Sequence, residues 1–266
     1  MIRKKLSFAT EPGDRVPAWL LMPDDNQPAR VKHPAVLCLH QTIPIGKDEP
    51  AGLGKNLELA YALELANRGY VTLAPDYPNF GEYRVNVEDL GYQSATMKAI
   101  WNNLRAIDLL SGLKEVDPTR IGVIGHSLGG HNSIFTALFD GRIKAIVSSC
   151  GYNAFPYYDK GNIAGWSHAG YMPRLRDRYR LDLQKVPFDF PELIGALAPR
   201  AFFSCSPVHD ANFDVAGVRV CIAAAQPVYK LLDVPERLVV VYPDAEHAFP
   251  AATRLEAYRF LDKFLR

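Results

Sequence analysis

The sequence has 266 residues, of which 48% are hydrophobic and 22% are charged, as is typical of a soluble globular protein with a sizeable core. The 30 lysine and arginine residues nearly balance the 29 acidic residues, giving a formal net charge of +1. This balance favours neither a nucleic-acid partner nor an acidic membrane surface. No apolar run approaches the length of a membrane span, so we expect no membrane insertion.

The cysteines and the first residues indicate the compartment. The four cysteines are widely spaced and form no metal-binding pattern: Cys38, Cys150, Cys205 and Cys221. Three of them lie in apolar, strand-like runs, where a free thiol behaves as a small hydrophobic side chain. The basic residues near the start are not followed by the apolar segment of a secretory signal. We therefore expect a reducing, cytoplasmic setting, without disulfides.

Apolar runs alternate with amphipathic runs along the chain. Residues 3–9 and 16–22 alternate in polarity around a turn, which predicts an antiparallel pair of strands, and a polar loop at 24–32 follows. Further strands are predicted at 34–40, 70–76, 120–124, 143–150, 201–206 and 237–242. Helices are predicted at 55–67, 94–111, 131–139, 190–198, 215–232 and 254–266. Residues 41–54 are expected to form a loop.

This alternation of strands and helices predicts an α/β fold, with a mostly parallel sheet flanked by helices. We expect a single domain over residues 1–266, because no linker or internal repeat divides the chain. Residues 152–198 are aromatic and irregular, which indicates a small cap-like insertion over the edge of the sheet. Ligands of such sheets bind outside the carboxyl ends of the strands.

The pentapeptide at 125–129, Gly-His-Ser-Leu-Gly, follows an apolar strand and opens a helical run. Glycines two positions before and after Ser127 remove side chains that would collide in a sharp strand-to-helix turn, and the hydroxyl then points out of the sheet. The pattern alone also occurs in ordinary tight turns. Its position between a strand and a helix favours a nucleophile elbow.

A serine nucleophile needs a base, and the base needs a group that orients it. Asp210 lies four residues after the predicted strand at 201–206, and His247 lies on the loop after the strand at 237–242. The order serine, acid, histidine along the chain is that of a known catalytic arrangement. We predict Ser127 as nucleophile, His247 as general base and then general acid, and Asp210 as the carboxylate that holds the imidazole in one tautomer.

Asp214 is the alternative orienting acid. Its position before a helix is typical of a residue stabilised by the helix dipole, and it lies further from the strand end than Asp210. Asp244 and Glu246 are too close to His247 in sequence to approach its ring easily from behind. We expect the remaining histidines, including His126 within the elbow, to be structural; His168 and His209 are also candidates for a pocket wall.

An oxyanion needs hydrogen-bond donors that are already in place. The backbone N–H of Leu128, at the start of a helix, is one candidate. The loop after the strand at 34–40 should supply the second, from Thr42 as first choice or Gln41 as second, whereas His40 should only hold this loop.

The aromatic segment at 152–179 has two interpretations. It is either a packed surface insertion or the wall of an acyl or alcohol pocket, since ligand pockets are mostly apolar and aromatic. In the second interpretation the predicted substrate contacts are Tyr152, Phe155 and Trp166.

Three motifs together resemble the α/β-hydrolase superfamily: Gly-His-Ser-Leu-Gly-Gly at 125–130, Leu-His-Gln-Thr at 39–42 and Asp-Ala-Glu-His-Ala-Phe at 244–249. Within it, the chain resembles the branch of dienelactone hydrolases and acetyl xylan esterases. The resemblance covers nearly the whole chain and implies an eight-stranded type of sheet. Dienelactone hydrolases carry cysteine at the elbow, so Ser127 favours an ordinary serine esterase. Gln41 and Glu246 stand where that branch usually has glycine.

These observations predict a serine carboxylesterase that acts on small-molecule, short-chain esters through an acyl-enzyme, without a metal or organic cofactor. A peptidase or amidase of the same fold is one alternative. A non-catalytic binding protein on a hydrolase scaffold is the other, because one scaffold hosts many functions. The sequence leaves the oligomeric state open.

Overall fold

The computed structural model describes residues 1–24 and 32–266, so the predicted polar loop at 24–32 lies mostly outside the described residues. The strands are β1 (Ile2–Glu11), β2 (Asp14–Met22), β3 (His33–Leu39), β4 (Val71–Pro75), β5 (Val116–His126), β6 (Ile143–Ser149), β7 (Ala201–Cys205) and β8 (Leu238–Val241). They form one sheet in the order β1-β2-β4-β3-β5-β6-β7-β8. β2 pairs antiparallel with β1 and with β4, and all later pairs are parallel.

Helices connect the parallel strands. They are α1 (Tyr61–Asn67), α2 (Ala95–Gly112), α3 (Leu128–Phe139), α4 (Arg174–Asp177), α5 (Phe190–Gly195), α6 (Val215–Leu231) and α7 (Ala251–Leu265). Short helical turns also cover residues 46–48, 49–53, 57–59, 155–161, 163–166 and 235–237. The predicted α/β fold with a mostly parallel, eight-stranded sheet is confirmed.

The core lies on both faces of the sheet, which is why the central strands are apolar throughout. On one face, α1 and α7 pack against the sheet through Tyr61, Leu65 and Leu261. On the other face, α2, α3 and α6 pack through Ile107, Ile134 and Val218. Burying such side chains stabilises the fold by about 25 cal/mol per Å² of apolar surface removed from water. The parallel strands are thereby fixed, and the loops at their carboxyl ends are held at one edge.

The segment between β6 and β7, residues 150–200, attaches to the start of α2. The backbone N–H of Ala95 donates to the carbonyl of Ala169 at 3.3 Å, and the N–H of Thr96 donates to the carbonyl of Tyr171 at 3.4 Å. The hydroxyl of Tyr77 donates to the carbonyl of Gly170 at 2.7 Å. These bonds seat the segment beside the carboxyl end of the sheet.

Among the helices of residues 1–24 and 32–266, none combines the length and the apolar character that crossing a bilayer requires.

Candidate active site

Ser127 occupies the turn between β5 and α3. Its φ of 53° and ψ of −117° place it in a backbone region that non-glycine residues rarely adopt. Its N–H donates to the carbonyl of Ser149 at 2.8 Å, and its carbonyl accepts from the N–H of His131 at 2.9 Å. Between Ile121 and Ala137, Ser127 is the one residue with a partly exposed surface. The sheet edge therefore presents a strained serine with an accessible side chain.

The glycines of the pentapeptide allow the close packing of this turn. A Cβ atom on Gly125 would collide with the backbone of Gly129. A Cβ atom on Gly129 would in turn collide with the carbonyl oxygen of Leu39, at the end of β3. The steric reason that the sequence suggested for both glycines is therefore visible in the structure, and it extends to a neighbouring strand.

Asp210 and His247 meet at the same edge of the sheet. The Nδ1 atom of His247 donates to the two carboxylate oxygens of Asp210, at 2.9 and 3.0 Å. The backbone N–H groups of Asn212 and Phe213 also donate to Asp210, at 2.8 and 3.1 Å. Burial would by itself raise the pKa of Asp210, but these hydrogen bonds and the charge of His247 lower it below its ordinary value. The carboxylate is thus held ionised behind the imidazole.

Two rings flank the imidazole of His247. The ring of His126 lies with its centroid 4.9 Å away, and that of Phe213 lies 6.0 Å away. Burial, followed by the charge of His247, lowers the pKa of His126 to about 3, so this neighbour stays neutral at pH 7. Its Nδ1 lies 3.0 Å from the hydroxyl of Ser149. His126 therefore has the position of a structural neighbour, as the sequence predicted.

The structure places Ser127 at the edge that carries the Asp210–His247 pair. Within the described residues, no hydrogen bond joins the Ser127 hydroxyl to the imidazole, whose Nδ1 atom is bonded to Asp210. Catalytic hydrogen bonds are often long in ligand-free structures and shorten when substrate binds.

Asp214, the alternative acid, has a different role. Its side chain accepts from the N–H of Ala216 at 2.8 Å and caps the start of α6. His209, a candidate for the pocket wall, is exposed and pairs with Asp244 at 2.8 Å.

His40 fixes the loop after β3. The backbone N–H of Tyr77 donates to Nε2 of His40 at 2.9 Å. The ring proton therefore sits on Nδ1, which donates to the carbonyl of Gln41 at 2.6 Å. Burial lowers the pKa of His40, which keeps the ring neutral and this tautomer stable. His40 thus holds the loop that contains the predicted second oxyanion donor.

Two of the three predicted oxyanion donors, Thr42 and Leu128, border a cavity of about 550 Å³, whereas Gln41 does not. His168 and Tyr171, from the segment after β6, also line it. Leu128 is the first residue of α3, where backbone N–H groups have no partner within the helix. The hydroxyl of Thr42 lies 3.1 Å from that of Tyr171. The side-chain amide of Gln41 points elsewhere and donates to Glu49 at 3.0 Å.

The predicted substrate contacts do not line this cavity. Tyr152, Phe155 and Trp166 are only 1%, 2% and 4% exposed, and their rings all pack within 5.8 Å of the ring of Phe190. The structure therefore puts them in the core beneath the segment, because aromatic rings fill the space between α3 and α5. His168 and Tyr171 help to line the cavity instead. His168 was a predicted candidate for a pocket wall, whereas an aromatic composition alone does not distinguish Tyr171 from core residues.

Cys150 is a neighbour that the sequence reasoning did not place here. Its Sγ atom, a carboxylate oxygen of Asp210 and a ring nitrogen of His247 all lie within 4.8 Å of one another. Such a trio can reach a common metal ion, but a cysteine ligand must be a thiolate. Burial raises the pKa of the Cys150 thiol well above its ordinary value, and the thiol donates to the carbonyl of Ala248 at 3.4 Å. The arrangement fits a protonated thiol beside an acid–base pair.

A buried ion pair lies under the loop after β3 and was also missed. The side chain of Lys47 is 1% exposed, and its ammonium group lies 2.9 Å from Asp76 and 2.7 Å from Glu82. Asp76 also accepts from the backbone N–H of Lys47 at 2.8 Å. Asp76 directly follows β4, a strand end, which is the signal that could have drawn attention to it.

Comparisons with known proteins identify the family of this chain. Residues 89–233, more than half of the chain, match the family described as glucuronyl esterase of fungi. The Bacillus subtilis protein YtaP, which carries the name of a hydrolase, is 30% identical over 77% of this chain and 69% of its own length. The chain spans less than half the length of the other curated relatives it matches.

Solved structures share the fold. A glucuronoyl esterase from Solibacter usitatus is 18% identical and has a TM-score of 0.73, over 98% of this chain and 81% of that chain. A structure from Klebsiella pneumoniae, described as a dienelactone hydrolase, is 13% identical and has a TM-score of 0.65, over 99% and 98% of the two chains. At these identities the likeness concerns the fold. On the family match, the chain belongs to the glucuronyl esterase family of α/β-hydrolase-fold serine esterases and is a carboxylic ester hydrolase.

Proposed function

We propose that this chain hydrolyses its ester through a triad of Ser127, His247 and Asp210, by way of an acyl-enzyme. One observation carries the proposal: a strained, partly exposed serine shares a sheet edge with a histidine that donates to a buried carboxylate at 2.9 Å. The Nδ1 proton is engaged by Asp210, which leaves Nε2 of His247 as the atom that can accept a proton.

The proposed reaction has two halves. The Ser127 oxygen attacks the ester carbonyl carbon while Nε2 of His247 takes its proton, and the carbonyl oxygen becomes an oxyanion. The N–H of Leu128 and a second N–H, from Thr42 or Gln41, stabilise that charge. His247 then protonates the departing alcohol. In the second half, His247 deprotonates a water that attacks the acyl-enzyme, and Ser127 is regenerated with the acid product.

We further propose that the acyl group is small, of the size of a single sugar acid or a short aliphatic acid. The cavity of about 550 Å³ beside Leu128 lies within the ordinary range for small ligands, roughly 300–1,000 Å³. The match to the glucuronyl esterase family supports an ester of a uronic acid as the substrate class. The proposed reaction needs no metal or organic cofactor.

The test compares Ser127→Ala with Ser111→Ala. Ser111 lies on α2, and its hydroxyl donates to the carbonyl of Ile107, so its replacement leaves the edge of the sheet intact. With 4-nitrophenyl acetate and the benzyl ester of glucuronic acid as substrates, Ser127→Ala should lower kcat by about 10⁴-fold or more. Ser111→Ala should keep the wild-type rate. Unchanged turnover in folded Ser127→Ala would overturn the proposal.

Three further measurements test the alternative functions and the proposed size of the acyl group. An organophosphonate should add once to the wild type and not to Ser127→Ala, by intact-protein mass; a chain that takes up no label would be a binding protein. An ester and the matching anilide should differ strongly in rate, in favour of the ester. A series of 4-nitrophenyl esters should peak at short acyl chains; a maximum at long fatty acyl chains would contradict the proposed size.

A further inference from the structure

A groove rich in arginine lies next to the cavity that Thr42 and Leu128 line. The segment at 174–180, Arg-Leu-Arg-Asp-Arg-Tyr-Arg, carries four arginines and one aspartate. Three of these side chains, those of Arg174, Arg176 and Arg178, line a groove of about 800 Å³, which we call the arginine groove.

The positive charges of these arginines outnumber the acidic groups that line the same groove. Two carboxylates, Glu88 and Asp177, also line the arginine groove, so its lining holds three cations against two anions. Yet among the residues that the structure describes, no carboxylate lies within ion-pair distance of the three guanidinium groups. Several other arginines of the fold do form ion pairs, as Arg142 does with Asp140 at 2.6 Å. The guanidinium group of Arg178 lies over the ring of Tyr179 at 5.5 Å, a contact that leaves its N–H groups able to donate. Within residues 1–24 and 32–266, no carboxylate therefore competes with an anionic ligand for these three groups.

The arginine groove continues into the cavity beside the elbow. Val87, Glu88 and Ala169 line both spaces, and the cavity is also bordered by Leu128. The charge of Arg176 reaches the cavity wall, because it adds to burial in lowering the pKa of His168. A ligand seated at the elbow can thus extend along a continuous surface towards the guanidinium groups.

We propose that the arginine groove binds an ionised carboxylate of the substrate, at a distance from the ester that reaches Ser127. This inference rests on the proposed function and narrows its substrate class to esters that carry a second, free carboxylate, as a partly esterified oligouronate does. A guanidinium group matches a carboxylate in shape and can bind it through two parallel hydrogen bonds. Three such groups in one groove favour an acidic chain over a neutral one.

The experiment uses two substrates that differ in their free carboxylates: a triuronate with one methyl ester and two free carboxylates, and the same triuronate with all three carboxylates esterified. Rates are compared between enzyme variants on each substrate separately. The triple variant Arg174→Gln, Arg176→Gln, Arg178→Gln is compared with Arg180→Gln. Arg180 belongs to the same segment and is exposed, but it is not among the residues that line the groove. It is the matched control for loss of charge.

For the acidic ester, the triple variant should lower kcat/KM by about tenfold, or about 1.4 kcal/mol. The loss should appear in KM, because the carboxylate is bound equally in the ground state and the transition state. The fully esterified substrate should change by less than about twofold, and Arg180→Gln should resemble the wild type. Equal losses on both substrates, or no loss on either, would overturn the inference.

A binding measurement distinguishes failure of the proposed ester hydrolysis from failure of the proposal on the arginine groove. If the wild type hydrolyses neither triuronate and also leaves 4-nitrophenyl acetate intact, the proposed function fails. Calorimetric titration with the fully de-esterified triuronate then decides on the groove. Saturable binding to the wild type that is lost in the triple variant, but kept in Arg180→Gln, supports the arginine groove. Absence of binding to the wild type overturns it.

Discussion

Nδ1 of His247 lies 2.9 Å from one carboxylate oxygen of Asp210 and 3.0 Å from the other. The side chain of Asp210 is 2% exposed, whereas that of His247 is 23% exposed. The pair is therefore arranged with the carboxylate inside and the imidazole at the surface, as the proposed mechanism requires. An ionised acid in this position fixes the ring orientation and stabilises the imidazolium that a proton transfer creates.

The first prediction concerns the choice of acid. Asp210→Asn should lower kcat for 4-nitrophenyl acetate by about 10³- to 10⁴-fold, because an amide cannot stabilise the imidazolium and favours the wrong tautomer. The asparagine oxygen can still accept from Asn212 and Phe213, so the fold should survive. Asp214→Asn is the control and should retain activity, since asparagine caps a helix as well as aspartate does. The opposite ranking of the two variants would assign the orienting role to Asp214.

The second prediction tests the packing of the elbow. Gly129→Ala forces a methyl group against the carbonyl of Leu39, so we expect the free energy of unfolding to fall by about 3 kcal/mol or more. The rate of ester turnover should also fall, because even a small displacement of Ser127 from its reactive position slows the reaction. Gly141→Ala adds a methyl group in open space and should change little. Urea unfolding and ester turnover measure both effects; a stable, fully active Gly129→Ala would refute the steric argument.

The third prediction compares two lysines that share Glu82 as a partner. Burial alone would lower the pKa of Lys47, but Asp76 and Glu82 raise it, so the ammonium group stays charged. Lys47→Met leaves Asp76 buried without its cation, and we expect a loss of about 3–5 kcal/mol in the free energy of unfolding. Lys5 pairs with Glu82 at 2.6 Å while 53% exposed, so Lys5→Met should cost about 1 kcal/mol or less. Denaturant titration of both variants measures the difference; equal losses would contradict this argument.

The fourth prediction is a pH dependence that originates at His131. This ring is buried between Phe135 and Trp166, with centroids 4.7 and 4.9 Å away, and neither ring nitrogen has a hydrogen-bond partner among the described residues. Burial lowers its pKa to about 3. An unfolded histidine titrates near 6.5, so below that pH the unfolded state binds a proton that the folded state does not. The folded state therefore loses stability as the pH falls from about 6.5 towards 3.

His131→Phe removes this titration while keeping an aromatic ring in place. Between pH 6.5 and pH 4, the variant should lose roughly 2–3 kcal/mol less of its free energy of unfolding than the wild type does. Phe190→Leu, which alters the same aromatic cluster, should lower the stability by a similar amount at both pH values. If the free energies of unfolding of the wild type and His131→Phe changed in parallel with pH, His131 would not be the source of the pH dependence.

The sequence predicted the strands well because a buried parallel strand is apolar on both faces. The strand expected at 34–40 is β3 (His33–Leu39), and that expected at 70–76 is β4 (Val71–Pro75). Residues 41–54 were expected to form a loop, yet they contain two short helical turns. Those turns depend on the contact between Lys47 and Asp76, 29 residues apart, and a local pattern carries no information about such a partner.

The residues proposed for catalysis were easier to predict from the sequence than the residues that line the neighbouring cavity. Strand ends meet at one edge of a parallel sheet, so chain order alone pointed to Asp210 and His247, which the structure brings into contact. Trp166 and Tyr171 belong to the same aromatic segment, but the first lies in the core and the second lines the cavity. Which ring faces the cavity depends on how the segment packs on α3 and α5. The sequence does not reveal this, because an irregular segment has no regular periodicity from which the buried face can be predicted.

Ser127 is the one partly exposed residue between Ile121 and Ala137, as its inverted backbone angles turn a single side chain outwards. Under the proposed mechanism, the number of reactive Ser127 hydroxyl groups in a sample can therefore be measured by titration. A chromogenic phosphonate would release one equivalent of leaving group per intact molecule, and a chain whose elbow has relaxed would release none. The amplitude of that burst would then give the active fraction of a sample, independently of how fast any substrate is turned over.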